Sequence, residues 1–439
     1  MKSIIKLFIP VFFLGSCNSE VEKADPEMLT DPNLLHGNMK QLTEVIIYDV
    51  FTPPVASRIY SYASLAAYEA VKFQEPEFSS IASKLNGFPA MPEPEHNKSY
   101  NFLLASTKAF FTVAEKITFS KDTLAKYQNK IYKDFKSLLD KETFDRSIAF
   151  GEAVGKSVLE RTNTDNYKET RGMSKFLGSH EEGKWRPTPP DYMDGAEPHW
   201  GKMKPLFIDS ANQFRCPAPP SFNLEKNSPF YKQVNEVYTI GKNLTEEQKD
   251  IAKYWDDNPF VIEHSGHLMF ANKKITPVGH WIGITSIAGK MKNLSAVETA
   301  RAYVLTSTAI YDTFISCWFE KYTTEVIRPV TVINEYIDQN WQPYLQTPPF
   351  PEYSSGHSGI SAAAATVLTK LFGENFAFED TSELEYIGMK RNFKSFHEAA
   401  QEVNISRVYG GIHYKSGVGA GAMQGKVIAE YLIKKLDLE

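Results

Sequence analysis

The apolar residues of this 439-residue chain recur mainly with the period of an α-helix. In the stretch 56–71, for example, Ile59, Tyr62, Ala63 and Ala66 occupy positions i, i+3, i+4 and i+7. This spacing places apolar side chains on one face of a helix. The strict alternation of apolar and polar residues that marks a half-buried strand is scarce along the chain. The pattern therefore predicts an all-α protein.

A stretch dense in proline and glycine interrupts the helical pattern at residues 183–220. It contains GKWRPTPPDYMDGAEPHWGKMKPLF and RCPAPP. Proline lacks the amide hydrogen that a helix interior requires, and such a density therefore ends helices. We predict two helical bundles, at residues 36–182 and 241–439, joined by a connecting segment at 183–240.

The helices of the second bundle are predicted from the same periodicity. Thr245 followed by Gln248 has the spacing of a capping box, which marks the start of the first of them. The predicted helices cover residues 245–256, 277–290, 295–323, 357–372, 382–406 and 415–436.

The N-terminal residues MKSIIKLFIPVFFLGSCNSE are typical of an export signal. Two lysines precede an apolar run of signal-peptide length, which is too short to span a bilayer. The run ends in LGSC, which resembles the cleavage box of a bacterial lipoprotein. We therefore expect a signal peptide at 1–17, a lipid on Cys17, a polar tether at 18–35, and export to the bacterial cell envelope with lipid anchoring in a membrane. The alternative is a plain secretory signal that contains a cysteine.

The charge of the chain restricts the kinds of molecule that it could bind. The net charge is −5 and no long basic run is present, which argues against nucleic acid as a partner.

Beyond Cys17 the chain has only Cys216 and Cys317. In an oxidising compartment they could form a disulfide; the alternative is two separate buried thiols.

The candidate functional residues lie in three short segments of the C-terminal third. Each segment alone has a structural explanation, because a lysine in the last turn complements the helix dipole, a serine before a helix caps it, and two glycines form a loop. The dipole gives no account of an arginine directly before a proline, where the backbone turns extended. The segments are Lys321 with Arg328-Pro329, then Ser355-Gly356-His357, then Ser406-Arg407 with Gly410-Gly411 and His413.

Together the three segments predict a cage for a tetrahedral oxyanion. They supply three cations, two imidazoles, a serine hydroxyl and a glycine amide at a helix N-terminus, where backbone N–H groups attract anions. Arginine binds such an anion through a bidentate fork, and lysine acts as a point charge.

The residues of these three segments and their spacings resemble the signature of the superfamily that joins vanadium-dependent haloperoxidases and type 2 phosphatidic acid phosphatases. We refer to them below as the signature residues. One departure is Ser354, where many members have proline. Several longer stretches also resemble bacterial haloperoxidase-like proteins. They include FTPPVASRIYSYASLAAYEAV, WRPTPP, HWGKMKPLF, AKYWDDNP and PVGHW. The resemblance covers most of residues 40–439 and favours the haloperoxidase branch, because the phosphatases are usually much shorter.

Two aromatic residues extend the resemblance. Trp318 and Phe350 match aromatic positions that line the vanadate pocket in the chloride-oxidising fungal branch, and Phe350 stands where algal bromoperoxidases carry an extra histidine. Ordinary core packing is the alternative for each. Bacterial iodide-specific members resemble this pattern too, and so the halide does not follow from it.

The resemblance implies a role for each signature residue with vanadate as the cofactor. His413 would be the axial vanadium ligand, and His357 would be the acid/base group. Lys321 would also polarise bound peroxide. Asp257 would be a partner of Arg407. The residues implied to hold the vanadate oxygens are Lys321, Arg328, Ser355, Gly356 and Arg407.

The implied activity is oxidation of halide, iodide or bromide above all, by hydrogen peroxide, with or without an organic acceptor for the halogen. One alternative is an acid phosphatase, in which His413 would be the nucleophile and His357 would protonate the leaving group. Another is a non-enzymatic surface lipoprotein that binds a glycan or a partner.

A second Ser-Gly-His occurs in EHSGH at 263–267. The signature residues do not follow it at the expected spacings, and we interpret it as pocket rim or surface. We interpret His280 as structural or as a partner of a site residue.

Overall fold

The computed structural model describes residues 24–259, 262–265, 268–271 and 274–438. Helices dominate these residues, and the all-α prediction is confirmed. The helices are α1 Asn33–Tyr48, α2 Pro53–Val71, α3 Phe102–Ile117, α4 Lys121–Leu138, α5 Lys141–Thr162, α6 Tyr167–Arg171, α7 Pro229–Lys242, α8 Glu246–Tyr254, α9 Pro277–Lys292, α10 Ala296–Thr324, α11 Pro329–Tyr336, α12 Gly356–Phe372, α13 Leu384–Ile387, α14 Phe396–Tyr409 and α15 Lys415–Lys435.

Two short antiparallel strand pairs accompany the helices in the described residues. The strands β1 Ile262–Ser265 and β2 Leu268–Ala271 pair with each other, and β3 Phe378–Asp380 pairs with β4 Arg391–Phe393. The EHSGH stretch overlaps the first pair, and His267 and the side chain of His264 lie outside the described residues. Among the described helices, none has both the length and the apolar character that crossing a membrane would require.

Polar caps fix where several helices begin. Thr245 and Gln248 form the predicted capping box at the start of α8, and Ser295 with Glu298 forms a second one at α10. In α2, the Thr52 hydroxyl accepts a hydrogen bond from the amide of Val55. These caps satisfy amides that a helix leaves unpaired in its first turn.

The structure differs from the sequence predictions at two places. The helix predicted at 382–406 is divided into α13, β4 and α14, because Gly388 adopts a φ of +71° at the end of α13 and Ser395 caps a new helix. The tether predicted at 18–35 is structured in its described part, since a 3₁₀ turn covers Pro26–Leu29 and α1 begins at Asn33. The signal peptide and Cys17 lie outside the described residues.

The core joins the two halves of the chain. One hydrophobic cluster runs from Leu35 in α1 to Leu436 after α15. Helix α2 is buried along its whole length and packs on both α3 and α10. The bundle limits at 36–182 and 241–439 stay predictions, since the shared core does not divide there. Cys216 and Cys317 are buried free thiols.

Helix α12 packs closely against α15, and glycine permits the approach. A Cβ atom on Gly421 would lie 2.3 Å from the carbonyl oxygen of Ser355. Any larger residue would therefore displace the N-terminus of α12. This crossing fixes the position of the Ser-Gly-His segment relative to the final helix.

The connecting segment is attached to α10 by one buried carboxylate. Asp312 accepts hydrogen bonds from the amides of Leu206, Phe207 and Ile208 at 2.8, 2.8 and 3.0 Å. Burial raises the pKa of Asp312 to about 6, whereas these three donors favour its charged form. The proline-rich segment is thus held to the core at a defined point.

We predict that Asp312→Ala lowers the free energy of unfolding by about 3 kcal/mol or more, because three buried amides lose their acceptor. Denaturant unfolding measures the change. Asp250→Ala, at an exposed position of α8, is the matched control and should change stability by less than about 0.5 kcal/mol. Equal effects of the two substitutions would contradict the proposed anchoring role.

Candidate active site

The three predicted segments meet at one site, in which the second and third segments line a pocket and Arg328 of the first reaches His413. Lys321 lies in the last turn of α10, Arg328 directly precedes α11, Ser355 caps α12, Arg407 lies in α14, and His413 lies between α14 and α15. The pocket is lined by Gly356, His357, Arg407 and His413 from the signature, together with Asp257, Phe314, Trp318 and Phe350.

The first segment places two buried cations at the base of the site. The Lys321 ammonium donates hydrogen bonds to the carbonyl oxygens of Pro351 at 2.8 Å and Glu352 at 3.1 Å. The Arg328 Nε donates to the Phe350 carbonyl oxygen at 2.8 Å, and its Nη1 donates to the Ile412 carbonyl oxygen at 2.6 Å. Arg328 Nη1 also lies 3.3 Å from His413 Nε2.

The proline after Arg328 explains how this side chain reaches the pocket. Pro329 is the first residue of α11, and Arg328 is extended, with φ −78° and ψ 151°. The residue before a proline avoids the helical region. The Arg328 side chain makes no capping hydrogen bond to α11. Its guanidinium is therefore available to the site.

The second segment is both a helix cap and part of the pocket wall. The Ser355 hydroxyl accepts hydrogen bonds from the amide of Ser358 at 3.4 Å and from its hydroxyl at 2.9 Å. Gly356 and His357 then form the first turn of α12, where helix geometry leaves amides without an intrahelical partner. A Cβ on Gly356 would lie 3.1 Å from the Trp318 ring.

The third segment turns sharply, as its glycines predict. Helix α14 ends at Tyr409, and Gly411 has a φ of +75°, which favours glycine. Arg407 Nε donates to the Ser406 hydroxyl at 2.9 Å, and its Nη2 donates to the Trp255 carbonyl oxygen. The turn brings His413 back to the pocket, where it is buried.

The sequence did not identify Glu352, whose carboxylate contacts Nδ1 of the His413 ring. His413 Nδ1 lies 2.7 Å from Glu352 Oε1, which also accepts the amide of Tyr414 at 3.0 Å. The carboxylate fills the space that a side chain at position 417 would need, since a Cβ on Gly417 would lie 2.2 Å from Glu352 Oε1. Its only sequence signal is its place three residues before Ser355, which is too general to have identified it.

Asp257 lies in the site but contacts different partners from the predicted one. Its carboxylate lies 3.1 Å from His280 Nδ1 and 3.7 Å from His357 Nε2. With Arg407 it interacts only through electrostatic attraction at longer range. His280 is therefore a close neighbour of a site residue.

The aromatic pair lies beside the cations. The ring centroids of Trp318 and Phe350 are 5.0 Å apart, and the Lys321 ammonium lies 4.9 Å from the Phe350 centroid. Arg328 lies 5.1 Å from the same ring. Both aromatic side chains are buried, and so they exclude water from one side of the pocket.

The site has strong positive electrostatic character with neutral imidazoles. Burial lowers the pKa of Arg328 to about 10 and lowers that of Lys321 from its usual range. Burial and the neighbouring Arg407 lower the pKa of His357 to about 4. Burial and the three cations also hold the pKa of His413 well below 6.5. A bound anion would compensate this excess of buried positive charge.

Two comparisons with known proteins find similar chains. The model of the VCPO second helical-bundle domain matches residues 301–437. A crystal structure of a bacterial vanadium-dependent iodoperoxidase, described as the first of its kind, superposes with a TM-score of 0.88 at 43% identity, covering 94% of this chain and 98% of that one. A search of curated proteins finds no match.

Two crystal structures of bacterial vanadium-dependent chloroperoxidase show the same fold at lower identity. The holo form gives a TM-score of 0.68 at 15% identity and covers 89% of this chain and 93% of that one. The apo form gives 0.66 at 15% identity and covers 88% and 95%. The near-complete match at 43% identity shows the family: this chain belongs to the vanadium-dependent haloperoxidases.

Proposed function

We propose that the protein is an enzyme that uses histidine-bound vanadate to oxidise halide with hydrogen peroxide. The observation that carries the proposal is a buried guanidinium beside His413 that the protein itself leaves partly unsatisfied. Arg328 Nη2 is buried and makes no hydrogen bond within the described residues, while Arg328 Nη1 lies 3.3 Å from His413 Nε2. Leaving such a group unpaired costs about 1–3 kcal/mol. A bound oxyanion would remove this cost, and so these residues fit vanadate.

The proposed roles follow from position and charge. His413 would ligate vanadium through Nε2, because Glu352 already engages Nδ1. Bound vanadate would supply a Lewis-acidic centre that activates hydrogen peroxide toward halide. The residues proposed to neutralise the vanadate oxygens are Lys321, Arg328 and Arg407, with the Ser355 hydroxyl and the Gly356 amide as further donors.

We propose that His357 transfers the proton that the reaction consumes. The overall change, H₂O₂ + I⁻ + H⁺ → HOI + H₂O, consumes one proton for each halide oxidised. His357 lines the pocket, and its lowered pKa keeps it neutral near pH 7, ready to accept a proton. A side chain that holds and returns protons at this position acts as the general acid/base.

Iodide is the first candidate substrate and bromide the second. The relative that shares 43% identity is described as an iodoperoxidase. Trp318 and Phe350 form an apolar wall beside Lys321, which suits a large, weakly hydrated anion. An acceptor for the halogen would have to reach the same pocket.

We predict that the vanadium-free protein gains iodide oxidation on addition of orthovanadate and that His413→Ala reduces it to background, because the substitution removes the proposed vanadium ligand. Rates of triiodide formation at several vanadate concentrations measure this. His96→Ala, at an exposed position, is the matched control and should behave as the unchanged protein.

The same preparations distinguish the phosphatase alternative. Hydrolysis of a phosphate ester that vanadate inhibits, without halide oxidation, would contradict the proposal and assign the cage to phosphate chemistry.

We further predict that Glu352→Gln weakens vanadate binding by about 10- to 100-fold, the usual effect of removing a carboxylate behind a ligating histidine. The neutral amide no longer favours the His413 tautomer that leaves Nε2 unprotonated. Equilibrium dialysis against vanadate measures the affinity. Glu69→Gln, at another buried carboxylate, should leave the affinity unchanged; an unchanged affinity for Glu352→Gln would refute its role.

We also propose that the protein is exported and anchored by a lipid on Cys17, on the basis of the LGSC sequence alone. Expression of the full chain in a bacterium with a labelled fatty acid should label the protein and place it in the membrane fraction. Cys17→Ala should abolish the label, whereas Ser19→Ala should retain it. A labelled Cys17→Ala protein would exclude this anchor.

A further inference from the structure

A chain of buried ionisable groups begins behind His357. His357 Nε2 lies 3.7 Å from Asp257 Oδ2, and the same carboxylate lies 3.1 Å from His280 Nδ1. His280 Nε2 lies 2.9 Å from Asp380 Oδ2. Glu383 Oε1 lies 3.7 Å from His280 Nδ1. These groups come from four separate parts of the fold, and each is buried apart from the partly exposed His357 ring.

The charges within this chain are arranged around His280. Burial alone would lower the pKa of His280, but Asp257 and Asp380 raise it well above 6.5. The His280 ring also stacks on Trp255, with centroids 4.3 Å apart. His280 is thus an imidazolium held between two carboxylates. It already supplies the positive charge that this acidic group requires, with both ring nitrogens engaged, which argues against a metal ion as its partner.

Glu383 is the carboxyl group of this chain of residues that favours its protonated form at neutral pH. Burial and the nearby Asp257 raise the pKa of Glu383 to about 8. Its Oε1 makes no hydrogen bond within the described residues. The other titratable or charged groups that face the chain are Lys274, Asp256, Tyr254, Arg407 and His413.

A second cleft, separate from the pocket around His413, is lined by sequence neighbours of Glu383, although the buried Glu383 is not itself part of its wall. Thr381, Ser382 and Glu385 line it from the segment that contains Glu383, and Gly279 and Gly283 line it from the helix that carries His280. Glu385 is largely exposed there. The wall of this cleft thus includes residues on either side of Glu383 in the sequence, and it shares no lining residue with the pocket around His413.

We propose that Glu383, His280 and Asp257 form a proton relay that supplies His357 from this second cleft, with Asp380 holding His280 in place. The inference rests on the proposed function, in which one proton is consumed for each turnover. The relay would supply protons from the second cleft in addition to any that reach His357 and Asp257 through the pocket that both residues line.

The transfers balance in four steps. Asp257 accepts the Nδ1 proton of His280 and passes a proton to His357 Nε2. His280 recovers its proton from the carboxylic acid of Glu383. The Glu383 carboxylate then takes a proton from solvent in the cleft. The two gaps of 3.7 Å, at Asp257–His357 and at Glu383–His280, exceed hydrogen-bonding distance, and each needs a side-chain movement of under about 1 Å to close.

Glu383→Gln tests the relay, because glutamine keeps the size of the side chain and carries no transferable acid proton. With vanadate bound, we expect iodide oxidation to fall at least about tenfold at pH 7 and to recover on addition of imidazole as a small proton carrier. In the unchanged protein the rate should fall above about pH 8, as Glu383 loses its proton. Vanadate affinity should not change.

The matched control is Glu385→Gln, the same substitution two residues further along and on the wall of the same cleft. It should keep the rate and pH profile of the unchanged protein. Asp380→Asn is a second variant should Glu383→Gln fold poorly, and it should displace the pH profile because His280 loses one of its two anionic partners.

A readout without vanadate separates this inference from the proposed function. The infrared spectrum of the vanadium-free protein should contain a carboxylic acid band that disappears as the pH rises through about 8 and is absent in Glu383→Gln. No such band would overturn the relay whatever the activity. Wild-type rates in Glu383→Gln across the pH range would also overturn it, while the proposed function stood. An inactive wild-type protein that shows the band would contradict the proposed function, and with it the purpose of the relay.

Discussion

The burial of three cations around one neutral histidine is the constraint on which the rest of this structure depends. Lys321, Arg328 and Arg407 are almost fully buried. Removing such charges from water costs several kcal/mol for each ion unless an opposite charge compensates. The protein supplies carbonyl oxygens, the close carboxylate Glu352, whose own pKa burial raises to about 7, and the electrostatic attraction of Asp256 and Asp257 for Arg407. A bound anion would supply further compensation, and this connects the fold to the oxyanion chemistry proposed for the site.

The packing of the helices serves this constraint. Helix α12 brings its N-terminus to the pocket because glycine lets α15 approach Ser355 closely. Asp312 ties the proline-rich connection to α10, the helix that carries Lys321 in its last turn. These two contacts fix the positions of the α12 N-terminus and of α10 more precisely than loops alone would.

The two carboxylate systems around the site have different physical roles. Glu352 contacts His413 directly and defines which ring nitrogen faces the pocket. Asp257 stands behind His357 and connects it to His280, Asp380 and Glu383. In the proposed function, the first system orients the vanadium ligand His413, and the second lies where protons could be supplied to His357. The first is made of residues from two loops, whereas the second gathers residues from four parts of the fold.

The sequence by itself determined the helical class and most helix positions, because helical periodicity is a local property of the chain. It also predicted the residues of the proposed oxyanion cage, because the spacings of Lys321, Arg328, Ser355, Arg407 and His413 are local too. It failed at 382–406, where a glycine with positive φ divides a region of helical composition. Only the tertiary structure decided the partners of these residues. Glu352, His280, Asp380 and Glu383 carry no spacing signal, since their contacts join residues 23 to 103 positions apart that meet only when the helices pack.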